Sequence, residues 1–314
     1  MSDSKMLQTL RVAKKYYEFG MDRKDIAREE GISNPTISRM LQKALDLGYV
    51  KITVDFPILC QEDLAKELKQ AYGLQEVFVT PVLVEEENSI LIDTCKAAAT
   101  GLVKYISSNQ VIGTAWGNTM KCLASFIPAL EVEGIKIVQL NGRCSKAAMP
   151  EGADAMMEAL EKQGNGEGYI IPAPVVVDDG AIADMLKKDS GVREVLDLAK
   201  SCDVAIFSVG ELTEDSVMYR AGYLDKGVYE ELQKQGAVGD IASNYFDKTG
   251  QSVDEMLAKR RIGVSLEELK RIPQKIAVVS GEKKAQAVSG ALKGGYIDVL
   301  YVDEKLAQKL LSYL

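Results

Sequence analysis

Four short stretches of this 314-residue chain carry residue types that hold anions and sugars. Trp116-Gly117-Asn118-Thr119-Met120 follows an apolar run and opens a helical pattern. Its free backbone N–H groups and the Thr119 hydroxyl would therefore meet a phosphate at the positive end of a helix. Ser280-Gly281-Glu282-Lys283-Lys284 has the same placement and adds ammonium groups that can neutralise an anion. Leu140-Asn141-Gly142-Arg143 ends a third run with amide and guanidinium donors, and Gly236-Ala237-Val238-Gly239-Asp240 reads as a loop offering a carboxylate to a sugar hydroxyl. Each stretch alone is explained as well by a helix cap or a turn. Their recurrence after strand-like runs points to a small, anionic, hydroxylated ligand.

A second chemistry lies near the N-terminus. Residues 22–49 read as a helix-turn-helix: Asp22 and Asp25 stand at the cap and capping-box positions, and Gly31 supplies the left-handed residue that ends a helix. Ser33 or Asn34 then caps a second helix, with Pro35 in its first turn. In that helix Ile37, Met40, Leu41 and Ala44 recur at i, i+3, i+4 and i+7, which predicts one buried face. Asn34, Thr36, Ser38, Arg39, Gln42 and Lys43 are left to reach phosphates and base edges of double-stranded DNA, with Arg39 suited to a bidentate contact to guanine. Residues 4–19 supply a preceding helix whose expected apolar positions are Leu7, Leu10, Val12, Ala13, Tyr16 and Tyr17. Gly48 closes the second helix, and 49–54 alternates like a wing strand.

The elements that must position the anion-binding stretches follow from the remaining pattern. Apolar, β-branched runs at 77–84, 111–115, 135–140, 169–171, 204–209, 275–279 and 299–302 read as strands. Helical stretches follow at 89–106, 119–126, 153–161, 181–187, 283–292 and 304–314. Such alternation implies an α/β domain with a mostly parallel sheet covered on both faces, where ligands bind at the carboxyl ends of strands. Two domains are expected, 1–55 and 56–314, joined by a linker around 55–62. The glycine-rich 164–168 precedes a strand instead of following one, so it is a loop and no dinucleotide fingerprint. Asp178 and Asp179 are adjacent carboxylates before a helix and read as caps.

Composition narrows the function further. The net charge is −8, yet residues 1–55 hold 10 Lys and Arg against 8 Asp and Glu, leaving 28 against 38 for the rest. One such near-neutral module has modest electrostatic affinity for DNA, so several copies acting together are expected. The absence of histidine removes the commonest general base and metal ligand, and no metal or cofactor is expected. The odd, scattered cysteines suggest free thiols. No apolar run reaches the length of a membrane span and no signal peptide is evident, which predicts a cytoplasmic protein without a membrane partner.

Taken together and in order, ISNPTISRMLQKALDLGYVKI (32–52), WGNTM (116–120), VQLNG (138–142), MYRAGY (218–223), GAVGDI (236–241), RRIG (260–263) and GEKKAQAVSGAL (281–292) resemble the SorC family of sugar-responsive bacterial transcription regulators, from Leu10 to Leu314. The resemblance implies an N-terminal winged helix-turn-helix followed by an effector domain like that of sugar-phosphate isomerases, serving as a sensor. It places an effector's phosphate on Gly117, Asn118, Thr119, Met120 and Lys284, beside Lys283. Asn141, Gly142, Arg220 and Asp240 would face the sugar. It further implies a pseudo-palindromic operator bound by a homodimer or homotetramer, and a repressor of a carbohydrate operon controlled by a phosphorylated sugar or polyol. Three positions depart from the family: Asn141 replaces a lysine found in one branch, so no Schiff base can form there. Arg143 replaces a usual glycine and would narrow the pocket or add a phosphate contact. Asn34 replaces a common arginine. Two other readings are a sugar-phosphate isomerase with an accessory DNA-binding module, Asp240 acting as base and Lys284 as electrophile, and a DNA-binding architectural protein with a vestigial ligand domain.

Overall fold

A computed structural model describes residues 3–50, 58–144, 152–220, 222–253 and 255–314. The chain divides into two compact units, Met1–Pro57 and Ile58–Leu314. The first contains three helices, α1 Asp3–Tyr17, α2 Arg23–Glu30 and α3 Asn34–Asp46. Gly31 ends α2 in the left-handed conformation, φ 67° and ψ 31°, which a side chain would resist. Ile37, Met40, Leu41 and Ala44 of α3 pack with Val12, Ala13 and Ile26 into a closed core. Leu7 is 58% exposed instead of joining it; at 100° per residue it lies on the face of α1 opposite Val12, Ala13 and Tyr16. Capping also differs from expectation. The Asp22 side chain makes no capping bond, Asp25 pairs with Arg28 at 3.5 Å, and the Ser33 hydroxyl shares a 2.8 Å hydrogen bond with that of Thr36. The wing expected at 49–54 falls mostly outside the described residues.

The second unit runs α4 Glu62–Tyr72, β1 Glu76–Thr80, α5 Glu87–Leu102, β2 Val111–Thr114, α6 Asn118–Ala124, β3 Lys136–Gln139, α7 Ala155–Gly164 and β4 Glu167–Tyr169. It continues α8 Gly180–Lys188, α9 Ser190–Lys200, β5 Val204–Phe207, β6 Gly210–Glu211, α10 Val217–Arg220, α11 Lys226–Lys234, β7 Ala237–Ile241 and β8 Asn244–Asp247. It closes with α12 Glu255–Arg260, α13 Leu266–Arg271, β9 Gln274–Val279, α14 Ala285–Lys293, β10 Val299–Asp303 and α15 Glu304–Leu311. Seven strands form a parallel sheet in the order β1-β10-β9-β5-β2-β3-β4. Central strands β5 and β10 are buried at every position, as expected where helices cover both faces. Strands β6, β7 and β8 make a small antiparallel sheet. Among the described residues no helix is long and apolar enough to cross a membrane.

The sequence pattern and the structure agree best where apolar strands are buried. They differ at 77–84, where β1 stops at Thr80 because Pro81 has no N–H for the ladder. They differ again at 236–240, read as a loop but built as β7. The glycine-rich 164–168, expected as a loop, is one only at 165–166: Gly164 ends α7, Asn165 is left-handed at its C-cap, and Glu167 already begins β4. Asp179 caps α8 through the Ala181 N–H at 2.7 Å.

One ionic cluster ties α1 to α2. Arg11 donates to both oxygens of Glu30 at 2.8 and 2.7 Å, and Lys15 reaches the same carboxylate at 2.8 Å. The Glu30 side chain is only 4% exposed. The hydrogen bonds from Arg11 hold its carboxyl at about 2, below the ordinary 4.5, against the opposing pull of burial. A depressed carboxylate pKa stabilises the fold above the unfolded value, and this contribution is lost as pH falls through the folded one. Glu30→Gln is expected to cost this unit about 1–2 kcal/mol at neutral pH. Amide hydrogen exchange across residues 3–50 of both forms checks this, and the difference should vanish as pH drops from about 4.5 toward 2; equal protection at pH 7 would refute it.

Candidate functional site

Strand order reverses between β5 and β2, so the connections leaving their carboxyl ends run to opposite sides and leave a crevice. The loop after β2 carries Trp116 to Asn118, and the segment after β5 carries Ser208 to Glu211. With Thr119, Asn141, Arg220, Asp240, Ser243 and Lys284 they line a cleft of about 290 Å³. A wider cleft of about 760 Å³ shares Asn118, Thr119, Glu211 and Lys284 with it and adds the 280–283 loop.

One wall is the start of α6. Gly117 precedes it at φ 145°, with no side chain capping the helix, so the first backbone N–H groups have no acceptor within the helix. Across from it stands Lys284, at the end of a loop held by Asp303. One Asp303 oxygen accepts from the Gly281 N–H at 2.8 Å and the other caps α15 through Leu306 N–H at 3.0 Å. Burial pulls the Lys284 ammonium below its ordinary range, opposed by Glu211, Asp240 and Asp303 among its neighbours. A positively charged amine sunk beside unfilled helix donors is arranged for an anion.

The opposite wall is polar and partly unsatisfied. Asn141 is 2% exposed; its Nδ2 donates to Ser243 Oγ at 3.3 Å, while its Oδ1 and the Ser208 Oγ are buried with no hydrogen-bond partner. Leaving such atoms unpaired costs about 1–3 kcal/mol each, and both residues border the cleft. Ser243 sits in the turn between β7 and β8, where it and Ala242 both have positive φ, 65° and 49°. That strained pair is held by Asp240 accepting from Ser243 N–H at 3.0 Å, by Asn244 donating to the carbonyls of Ile241 and Ala242, and by Arg261 donating to that of Ser243 at 3.2 Å.

Not every residue expected here arrives. Arg143 is ion-paired with Asp154, which also accepts from Gln139 at 2.7 Å, and it does not border the cleft. Gly142 is packed against the carbonyls of Ala173 and Pro174, where a Cβ would lie 2.7 Å from both oxygens. Its own carbonyl accepts from Trp116 Nε1 at 3.3 Å. The Met120 side chain is buried in the core, and the exposed Lys283 pairs with Glu87 at 3.2 Å in the wider cleft. Conversely, Ser208, Glu211 and Ser243 escape the sequence reading. Ser208 directly follows a buried strand, a placement that would have flagged it; the Ala-Ser pair at 242–243 carries no sign of the turn it makes.

In the first unit, Asn34, Arg39, Gln42 and Lys43 are exposed along α3, with Thr36 and Ser38 half-buried. Arg39 and Lys43 make no hydrogen bond or ion pair among the described residues, whereas Gln42 donates to Asp46 at 2.9 Å. Arg39 and Lys43 are therefore available to an external anion.

Residues 57–312 match the family described as "Putative sugar-binding domain". The chain is 30% identical over 314 residues to the deoxyribonucleoside regulator of Bacillus subtilis (strain 168), covering 100% of both. A solved DeoR family transcriptional regulator from Listeria monocytogenes is similar at a TM-score of 0.72 and 30% identity, over 79% of this chain and 98% of that one. The full-length sorbitol operon regulator SorC from Klebsiella pneumoniae has the same fold, with a TM-score of 0.75 at 24% identity over 99% of each chain.

The placement of the 142–143 segment separates packing from binding. Gly142→Ala should lower stability by about 2–3 kcal/mol through collision with backbone oxygens, read as a fall in the denaturant midpoint. Arg143→Ala should leave the affinity for any sugar phosphate within about twofold, measured by calorimetry; a tenfold loss would put Arg143 in the binding site after all.

Proposed function

This chain belongs to the SorC family of sugar-binding transcription regulators, and we propose that it represses a carbohydrate operon until a phosphorylated sugar or polyol enters the crevice between β2 and β5. The observation that carries the reading is the pairing of two kinds of unmet need in one cleft. The α6 start and the Lys284 ammonium call for an anion; Asn141 Oδ1 and Ser208 Oγ call for hydroxyl groups. A phosphorylated sugar or polyol offers both at opposite ends of one small molecule. Gly117, Asn118, Thr119 and the Met120 N–H take the phosphate together with Lys284, while Asn141, Ser208, Ser243, Arg220 and Asp240 take the hydroxylated end. The relatives are named as regulators and not as enzymes.

At the other end of the chain α3 enters the major groove, with Arg39 on base edges and Asn34, Thr36, Ser38, Gln42 and Lys43 on flanking groups. Because Met1–Pro57 carries little net charge, a homodimer or homotetramer on a pseudo-palindromic operator supplies the affinity one copy lacks. Effector and operator are then coupled by favouring different quaternary arrangements.

At least one sugar or polyol monophosphate should raise the melting temperature of the chain, and Lys284→Ala should weaken its binding about tenfold or more. No shift from a broad panel, with operator binding intact, would overturn the sensor reading. For the DNA end, Arg39→Ala should cost about 1–3 kcal/mol of operator affinity and relax sequence preference, measured by fluorescence anisotropy. An unchanged preference would remove Arg39 from the base contacts.

A further inference from the structure

The turn that carries Ser243 is built against the preference of its own residues. Strands β7 and β8 pair Ile241 with Asn244, which leaves Ala242 and Ser243 as a two-residue hairpin loop with positive φ at both positions. Such a turn is of the mirror-image type that asparagine and glycine favour, because a Cβ resists the left-handed region. An Ala-Ser pair is strained there and persists only where its surroundings hold it. The 261–264 segment supplies that hold. Arg261, 6% exposed, donates from Nη1 to the Ser243 carbonyl at 3.2 Å, and the Val264 carbonyl accepts from Asn244 Nδ2 at 3.0 Å. Between them Gly263 pairs with Asn141, so closely that a Cβ on it would lie 2.8 Å from Asn141 Cα. One short segment therefore backs both Asn141 and the Ser243 turn.

We propose that Arg261 is the positioning residue of the sugar-binding wall: by locking the strained 242–243 turn it presents the Ser243 hydroxyl to a hydroxyl group of the ligand. Asn141, Ala242 and Ser243 border the cleft and Arg261 does not, so Arg261 acts through Ser243. A glycine at 243 would make the same turn without strain, but it would bring no hydroxyl into the cleft. The strain is the cost of having a side chain at that point.

The hydroxyl so placed has a proton to give. Ser243 Oγ accepts from Asn141 Nδ2 at 3.3 Å and directs its own proton to Met218 Sδ at 3.7 Å. A thioether is a weak acceptor, and a ligand oxygen is a stronger one. Release of the Ser243 carbonyl would let the residue return to negative φ, which re-aims its Cα–Cβ bond and takes Oγ away from Asn141. A guanidinium suits the task because it stays charged and holds its donors in a rigid plane. The anion-binding wall is made by other elements, α6 and the loop before α14, so the two halves of the cleft can be separated by measurement.

The consequence for binding rests on the sensor reading; the hold on the turn does not. Hydrogen exchange of the unliganded full chain tests the hold. Peptides covering 237–247 should exchange faster in Arg261→Gln than in the wild type, with those covering 118–124 and 281–292 unchanged. An unchanged 237–247 segment, or equally faster exchange everywhere, would overturn the proposal. Calorimetry tests the consequence, with inorganic phosphate and a panel of aldose and alditol monophosphates of three to six carbons as probes. Arg261→Gln should bind the panel member the wild type prefers about tenfold more weakly, and inorganic phosphate within about twofold. Arg261→Lys keeps a charged donor and should lose less; it carries the same comparison should Arg261→Gln not fold. Ser243→Ala should repeat the split between sugar phosphate and phosphate while exchange at 237–247 stays near that of the wild type. Ala242→Gly removes the left-handed cost at 242 and should restore about threefold or more of the affinity lost in Arg261→Gln. Equal losses for phosphate and sugar phosphate, or no recovery with Ala242→Gly, would refute the positioning role. If no panel member binds more tightly than inorganic phosphate, the sensor reading and the sugar-binding wall fall together, while exchange still decides whether Arg261 holds the turn.

Discussion

The reversal of strand order between β5 and β2 is the constraint on which the effector unit depends. Parallel strands must be joined by crossovers, and where neighbouring strands send theirs to opposite faces no connection can close over the gap. The loops after β2 and β5 therefore end side by side with their backbone groups open. Into this gap the small antiparallel sheet brings Glu211 and Asp240 from one direction, while the loop before α14 brings Lys284 from another. Asp303, fixed at the start of α15, holds that loop in place through a single carboxylate.

The groups that surround the gap are costly to hold in place. An ammonium drawn out of water, a buried amide oxygen and a buried hydroxyl without partners, and two consecutive non-glycine residues at positive φ all oppose stability. The surrounding fold offsets these terms through nearly continuous apolar strands and through the clamp of Asp240, Asn244 and Arg261 on the 242–243 turn. A ligand with an anionic end and hydroxyl groups would relieve the first three at once. Relief of that kind is a source of differential affinity between two arrangements of the chain, which a regulator needs in order to switch.

Residues 32–48 and the apolar runs of the central sheet were legible because local rules decide them. The helical period of Ile37, Met40, Leu41 and Ala44, the left-handed Gly31 and the β-branched runs at 204–207 and 275–279 each specify their element without help from distant residues. Reading failed where distant contacts choose. Leu7 is apolar yet exposed because the phase of α1 against its core is set by Val12, Ala13 and Tyr16. The 236–240 segment looks like a turn from its glycines but becomes a strand because β6 and β8 lie on either side of it.

The same division runs through the site. By itself the sequence determined that the chain holds a helix-turn-helix and a parallel α/β unit, and that the segments after strands carry Asn118, Thr119, Asn141 and Lys284. Tertiary structure alone decided that Arg143 turns to Asp154 and Gly142 to packing, and that Ser208, Glu211 and Ser243 enter the cleft. The reason is physical. A residue's type and its neighbours in sequence fix which groups it can offer, but which partner takes that offer depends on what the fold brings within about 3 Å of it.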